Sequence, residues 1–166
     1  MTVRGAIIDL DGTVYRGGEL CNGTAAGVQS LREAGLDLLF FSNNPLKDGD
    51  DYVERLTEFG LDVSSGEACS SGVVTTEYLV ENHSEEQIFC IGADGLREQF
   101  RAADLDVTEE PETTDVLVAS WTSEFDFADM RDALAAVDDD TTFLGTDPDR
   151  TFPMEGGTEV PGSGAI

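Results

Sequence analysis

Asp9 and Asp11 are the residues best placed to do chemistry in this 166-residue chain. They stand two apart at the end of an apolar run, in Ile7-Ile8-Asp9-Leu10-Asp11-Gly12-Thr13. The run from Gly5 to Ile8 reads as a buried parallel strand. Residues two apart on a strand share a side. The pattern therefore predicts two carboxylates converging at a strand's carboxyl end, where open α/β sheets bind ligands. One carboxylate can attack as a nucleophile while its neighbour exchanges protons with the leaving group and water. Both can help hold magnesium, which prefers oxygen ligands.

Other readings of this stretch explain less. A hairpin turn on Asp11-Gly12 would use those two residues. It would leave Asp9 as a charge ending a buried strand, which is costly unless the charge is paired or used. A calcium loop opening Asp-x-Asp needs a Glu at its twelfth position, and counted from Asp9 that position is Leu20. A second strand-end cluster lies further on. Leu36 to Phe41 is another apolar run, ending in Ser42-Asn43-Asn44-Pro45. A hydroxyl and amides there can donate hydrogen bonds to a phosphate without adding charge. Alone, the segment reads as a turn punctuated by proline.

Together the two segments resemble the first and second motifs of the haloacid dehalogenase-like hydrolases, in the branch holding NagD-type and p-nitrophenyl phosphatases. Gly60-Leu61-Asp62-Val63, Gly92-Ala93-Asp94-Gly95-Leu96, Thr146-Asp147-Pro148-Asp149 and Pro161-Gly162-Ser163-Gly164-Ala165 resemble that branch too. The similarity thus covers essentially the whole chain. It implies a Rossmann-like α/β core with an inserted α/β cap that closes over the site. It also implies a magnesium-dependent phosphatase for a small phosphorylated substrate, such as a sugar phosphate, a nucleoside monophosphate or a p-nitrophenyl ester. In that resemblance Asp9 forms an aspartyl-phosphate, and Asp11 acts as acid and then base. Magnesium sits on the Asp9 carboxylate and the Asp11 main-chain carbonyl. Ser42, Asn43 and Asn44 surround the phosphoryl group, Gly12 lets the backbone approach it, and Thr13 fixes the turn.

The same resemblance implies residues that the sequence does not supply. The family's third-motif lysine and fourth-motif acids follow the cap. Lys47 comes too early to be that lysine, and no Gly-Asp-x-x-x-Asp pattern follows the cap-like block up to Ile166. The expectation is an incomplete core whose first strand is exposed at an edge or on a face. A piece of a longer protein, reliance on a partner and a degenerate relative all fit. The short chain is expected to hold magnesium weakly and to have little activity alone. A non-catalytic phosphate-binding or assembly module, self-associating through the cap, is one alternative. A phosphotransferase or mutase is another.

The elements that must position these residues alternate between strand and helix. Val3 to Asp9 reads as a strand, Val14 to Leu20 as a short hairpin flap, and Thr24 to Ala34 as a helix stopped by Gly35. Leu36 to Phe41 reads as a strand, and Asp48 caps a helix reaching Phe59 and ending at Gly60. This order predicts a doubly wound parallel sheet. A second block begins near Ala68, with helices over 72–80, 95–103 and 127–137 and strands over 87–91, 116–120 and 142–144. The expected division is core over 1–67, cap over 68–160, and the start of a return to the core over 161–166. Pro153, Gly156, Gly157, Pro161, Gly162 and Gly164 make the tail loop-rich. Asp147 and Asp149 flank Pro148 and read first as a turn, with a contact to substrate from the cap as the alternative.

Composition narrows the partners. The net charge is −26, with eight arginines and Lys47 as the sole lysine. Such a surface repels nucleic-acid phosphates and anionic membranes. Acidic residues spread through periodic segments, with almost no lysine, resemble proteins of salt-loving organisms, in which salt screens self-repulsion. Asp138-Asp139-Asp140 and Glu109-Glu110 are expected in solvated loops. No apolar run is long enough to span a membrane, and no basic-then-apolar leader opens the chain, so a cytoplasmic protein is expected. Cys21, Cys69 and Cys90 show no zinc spacing, and Cys90 reads as a core thiol. His83 reads as a helix-terminal surface residue and Trp121 as a packed aromatic.

Overall fold

A computed structural model describes residues 3–153 and 158–166. The first half builds a parallel sheet in the order β1-β4-β5 from β1 (Gly5–Asp9), β4 (Asp37–Ser42) and β5 (Ala68–Ser70). Between β1 and β4 come a small hairpin, β2 (Tyr15–Arg16) with β3 (Glu19–Leu20), and the helix α1 (Thr24–Glu33). Helix α2 (Gly49–Glu58) follows β4 and begins in a reciprocal capping box between Asp48 and Asp51. Leu38 and Phe40 of β4 bury against Val28 of α1 and against Tyr52 and Leu56 of α2, all in one apolar cluster.

Both helices therefore lie on one face of this sheet, which is not the doubly wound arrangement expected. The strand order explains it. From β1 to β4 to β5 the chain steps in one direction, and right-handed crossovers in one direction place their helices on the same side. The opposite face carries Ile7, which is 75% exposed on the edge strand β1.

The second half builds another parallel sheet in the order β7-β6-β8-β9 from β6 (Gln87–Ile91), β7 (Asp106–Thr108), β8 (Val116–Ala119) and β9 (Thr142–Gly145). Here the order reverses about β6, so helices cover both faces. Ile88 and Cys90 pack with Leu79 of α3 (Ser71–Asn82) and with Leu96 and Phe100 of α4 (Asp94–Ala102). Phe89 and Ile91 point the other way and pack with Ala136 of α5 (Phe127–Ala136). All four residues of β8 are buried, as a central strand between helices requires. Along α5, Phe127, Met130 and Leu134 remain exposed.

Several expected boundaries move. Ala68–Ser70, assigned above to the second block, pair with β4 and complete the first sheet. Ser70 then caps α3 directly, so the chain passes between sheets without a linker. The tail expected as loop forms a hairpin, β10 (Thr151–Pro153) with β11 (Glu159–Pro161). Gly156 and Gly157 lie outside the described residues. Ile166 packs against the cluster of Ile91, Leu117 and Ala136. His83 ends α3 as its C-cap, as expected, but its side chain is mostly buried rather than on the surface and meets Glu86 Oε2 at 2.7 Å.

Candidate active site

The two strand-end motifs meet because β1 and β4 are in register, Asp9 beside Phe41. The chain leaves β1 in a tight turn. The Leu10 carbonyl accepts from the amides of Thr13, Val14 and Tyr15 at 3.3, 2.9 and 3.3 Å, while the Gly12 amide donates to the Tyr15 carbonyl at 2.8 Å. Gly12 takes φ +85°, a conformation that any side chain would strain. Leu10 and Val14 are buried below, so Asp9 and Asp11 are both presented outward. β1 ends at Asp9, and Asp11 is placed by the turn and by Ser42 rather than by strand alternation.

Ser42, fully buried at the end of β4, donates its hydroxyl to Asp11 Oδ2 at 3.0 Å and accepts the Asn44 amide at 3.1 Å. Thr13 donates to Asp9 Oδ2 at 2.7 Å. The corner thus consists of two carboxylates, each oriented by a hydroxyl from a neighbouring turn or strand end. Asn44 uses its side-chain oxygen locally, accepting the Leu46 amide at 3.0 Å. Among the described residues nothing donates to the Asp11 main-chain carbonyl. An open carbonyl beside the Asp9 carboxylate is a pair of hard oxygen donors, the chemistry that suits magnesium. Among the described residues no group of three acidic, cysteine or histidine side chains gathers to complete such a site.

Two buried tyrosines floor the corner, and sequence reasoning missed both. Burial pushes the Tyr52 phenol up to about 12, with the Asp11 charge adding to the rise while Ser42 and Arg55 oppose it. Burial, then the Asp11 charge, push Tyr15 up further still. The Arg55 guanidinium lies 4.3 Å from the Tyr15 ring centroid and donates to the Gly17 carbonyl of the β2–β3 hairpin at 2.7 Å. That hairpin is the expected flap, and Arg55 ties it to α2. The aromatic residue four positions after Asp11 was the only sequence signal for this arrangement.

The second half of the molecule grips the Ser42–Pro45 segment. Ser71 donates to the Asn43 carbonyl at 2.7 Å, and Gln99 to the Pro45 carbonyl at 3.0 Å. Gly72 lies so close to the Pro45 carbonyl that a Cβ would collide with it. Asn43 reaches across in turn. Its amide nitrogen donates to Asp149 Oδ2 at 2.7 Å and approaches Asp147 Oδ1 at 3.4 Å. The turn reading of these aspartates holds, since the Asp149 amide donates to Asp147 Oδ1 at 3.0 Å, but it is only part of their surroundings. Trp121 packs edge-on to Phe152 at 5.9 Å. Cys90 is a buried thiol, pushed up to about 12 by desolvation.

Residues 6–106 match the family described as haloacid dehalogenase-like hydrolases. An acid sugar phosphatase of Staphylococcus epidermidis is 31% identical over 160 residues, covering 96% of this chain and 61% of that protein. Sugar-phosphatase AraL of Bacillus subtilis is 30% identical over 162 residues, covering 98% and 60% respectively. The p-nitrophenyl phosphatase from Archaeoglobus fulgidus superposes with a TM-score of 0.87 at 29% identity, across 99% of this chain and 62% of its own. The chain therefore spans only 60–62% of the length of these relatives. Among the described residues no helix is long and apolar enough to cross a membrane.

Proposed function

The chain belongs to the haloacid dehalogenase-like hydrolases, and from that premise we propose that its Asp9–Asp11 corner transfers the phosphoryl group of a small phosphorylated metabolite to water. The observation that carries this reading is the 3.0 Å hydrogen bond from Ser42 to Asp11. It joins the ends of two parallel strands into one polar corner, where ligands of open α/β sheets bind.

Asp9 is the nucleophile. Thr13 holds its Oδ2, which leaves Oδ1 free to attack. As the Oδ1–phosphorus bond forms, the bond from phosphorus to the leaving oxygen breaks, and Asp11 delivers its proton to that oxygen. Water then attacks phosphorus and gives a proton to Asp11. Phosphate leaves and the Asp9 carboxylate is restored. The Asn43 side-chain amide holds the phosphoryl oxygens, and Ser42, whose hydroxyl is given to Asp11, keeps that acid turned toward them. The Asp9 carboxylate and the Asp11 carbonyl are the atoms that would hold magnesium, which when bound offsets the negative charge of the phosphoryl group. The second sheet and its helices serve as the cap, excluding water over the corner. The names of the relatives favour sugar phosphates as substrates.

Three unpaired cysteines fit a reducing, cytoplasmic setting. Self-association, where it occurs, would use the exposed stripe on α5. A second reading, a phosphate-binding module without turnover, is favoured by the lack of a third metal ligand among the described residues. Kinetics separate the two. With p-nitrophenyl phosphate and saturating magnesium in molar potassium chloride, slow phosphate release is expected. It should vanish in Asp9→Asn and fall by about two to four orders of magnitude in Asp11→Asn. Phosphate binding without release would favour the module.

A further inference from the structure

Asn43 has no donor left over. An amide NH2 carries two hydrogens, and here one meets Asp149 Oδ2 at 2.7 Å while Asp147 Oδ1 lies at 3.4 Å. These two carboxylates come from the other sheet's side of the molecule, on the turn after β9. The turn is held in place from behind. The Gly164 amide donates to the Asp149 carbonyl at 2.9 Å, and the Gly162 amide donates to the Arg150 carbonyl at 2.9 Å. Gly162 and Gly164 also pack so tightly on the Asp149 and Pro148 carbonyls that a Cβ at either position would collide. From its own side Asn43 is fixed by Ser71 on its carbonyl. The contact thus joins two braced partners.

A carboxylate and a phosphate ask the same thing of Asn43. Both are anions that only accept hydrogen bonds, and both hydrogens of the Asn43 amide already face Asp149 and Asp147, so a phosphate gains one only by displacing a carboxylate. We propose that Asp149, backed by Asp147, is an intramolecular competitor for the phosphate-binding amide of Asn43. Phosphate capture and this contact between the two halves are then mutually exclusive. An arriving phosphoryl group displaces the Asp147–Asp149 turn, and loss of phosphate lets it return. The turn therefore reports occupancy of the corner to the half that covers it. This inference rests on the phosphate-binding role proposed for Asn43.

The chain supplies its own reporter. Trp121 is the sole tryptophan, and it packs edge-on to Phe152, three residues beyond Asp149. The experiment is calorimetric titration of the 166-residue chain with inorganic phosphate, alongside Trp121 emission, in molar potassium chloride with magnesium. Asp149→Ala removes the competitor, and Asp149→Asn keeps its volume while removing its charge. Asp149→Ala should bind phosphate about tenfold more tightly than wild type, as expected for loss of one hydrogen bond to a charged acceptor. Asp149→Asn should gain part of that. Wild-type emission should change with the same midpoint as the heat. If both variants bind phosphate no more tightly than wild type and the emission is indifferent, the competition is overturned while the phosphate corner stands. If wild type and both variants all fail to bind phosphate, the competition and the proposed function fall together.

Discussion

Ser42→Ala offers a direct probe of how the corner is assembled. The hydroxyl donates to Asp11 Oδ2 at 3.0 Å and accepts the Asn44 amide at 3.1 Å, from a residue with no exposed surface. A hydrogen bond to a charged group contributes about 1.5–3 kcal/mol. The Asp11 carboxylate is solvent-exposed, so water replaces much of what it loses, and Asn44 is exposed as well. The lower end of that range, about 1.5 kcal/mol, is the expected loss of stability. For a chain of this size that corresponds to a fall of about 3–6 °C in Tm. Asp11→Ala removes the acceptor from the other side. In a cycle of the two single variants and the double variant, followed by urea melts in molar potassium chloride, a coupling of about 1 kcal/mol is expected. Additivity within about 0.3 kcal/mol would show that Ser42 and Asp11 do not act together. The idea of one corner built from two strand ends would then be wrong.

Three further outcomes follow from the electrostatics. Tyr15 and Tyr52 are raised mainly by burial. Their neutral forms therefore support the fold fully below the unfolded tyrosine pKa near 10, and that support is lost as pH rises toward and through the folded values. Phenolate absorbance during an alkaline titration should show two of the three tyrosines ionising only with unfolding, and normal titration of all three would refute the buried placement. The net charge of −26 predicts a Tm that climbs from dilute to molar potassium chloride as self-repulsion is screened, and a flat or falling trend would contradict it. Magnesium calorimetry should detect only weak binding, because Asp9 and Asp11 gather no third acidic partner among the described residues; tight binding would mean that ligands have been misassigned.

What the sequence disclosed depended on how local the cause was. β1 and β4 were readable because each is an apolar run closed by polar residues, and the start of α2 was readable from Asp48. β5 was not, because Ala68-Cys69-Ser70 has no strand signature of its own and becomes a strand only by pairing with β4. The same holds for the short β7 beside β6. The hairpin of β10 and β11 hid among prolines and glycines, which signal turns more strongly than pairing. In the corner, Asp9, Asp11 and Ser42 announced themselves at strand ends. The partners of Asn43 did not, since Asp147 and Asp149 lie more than a hundred residues away. Their flanking of Pro148 showed the turn but not what the turn faces. Tyr15 and Tyr52 look like ordinary core aromatics until the register of β1 on β4 sets Asp11 near them.

A phosphoryl group on Asp9 is an adduct that can be trapped. The chain and its Asp11→Asn variant would be mixed with p-nitrophenyl phosphate and saturating magnesium in molar potassium chloride, quenched in acid, and mapped by peptide mass spectrometry. Asp11→Asn cannot accept the proton of the attacking water, so it should accumulate the mass of one phosphoryl group on the peptide containing Asp9, with none in Asp9→Asn. A phosphoryl group on any other residue, or phosphate release that survives Asp9→Asn, would contradict the account.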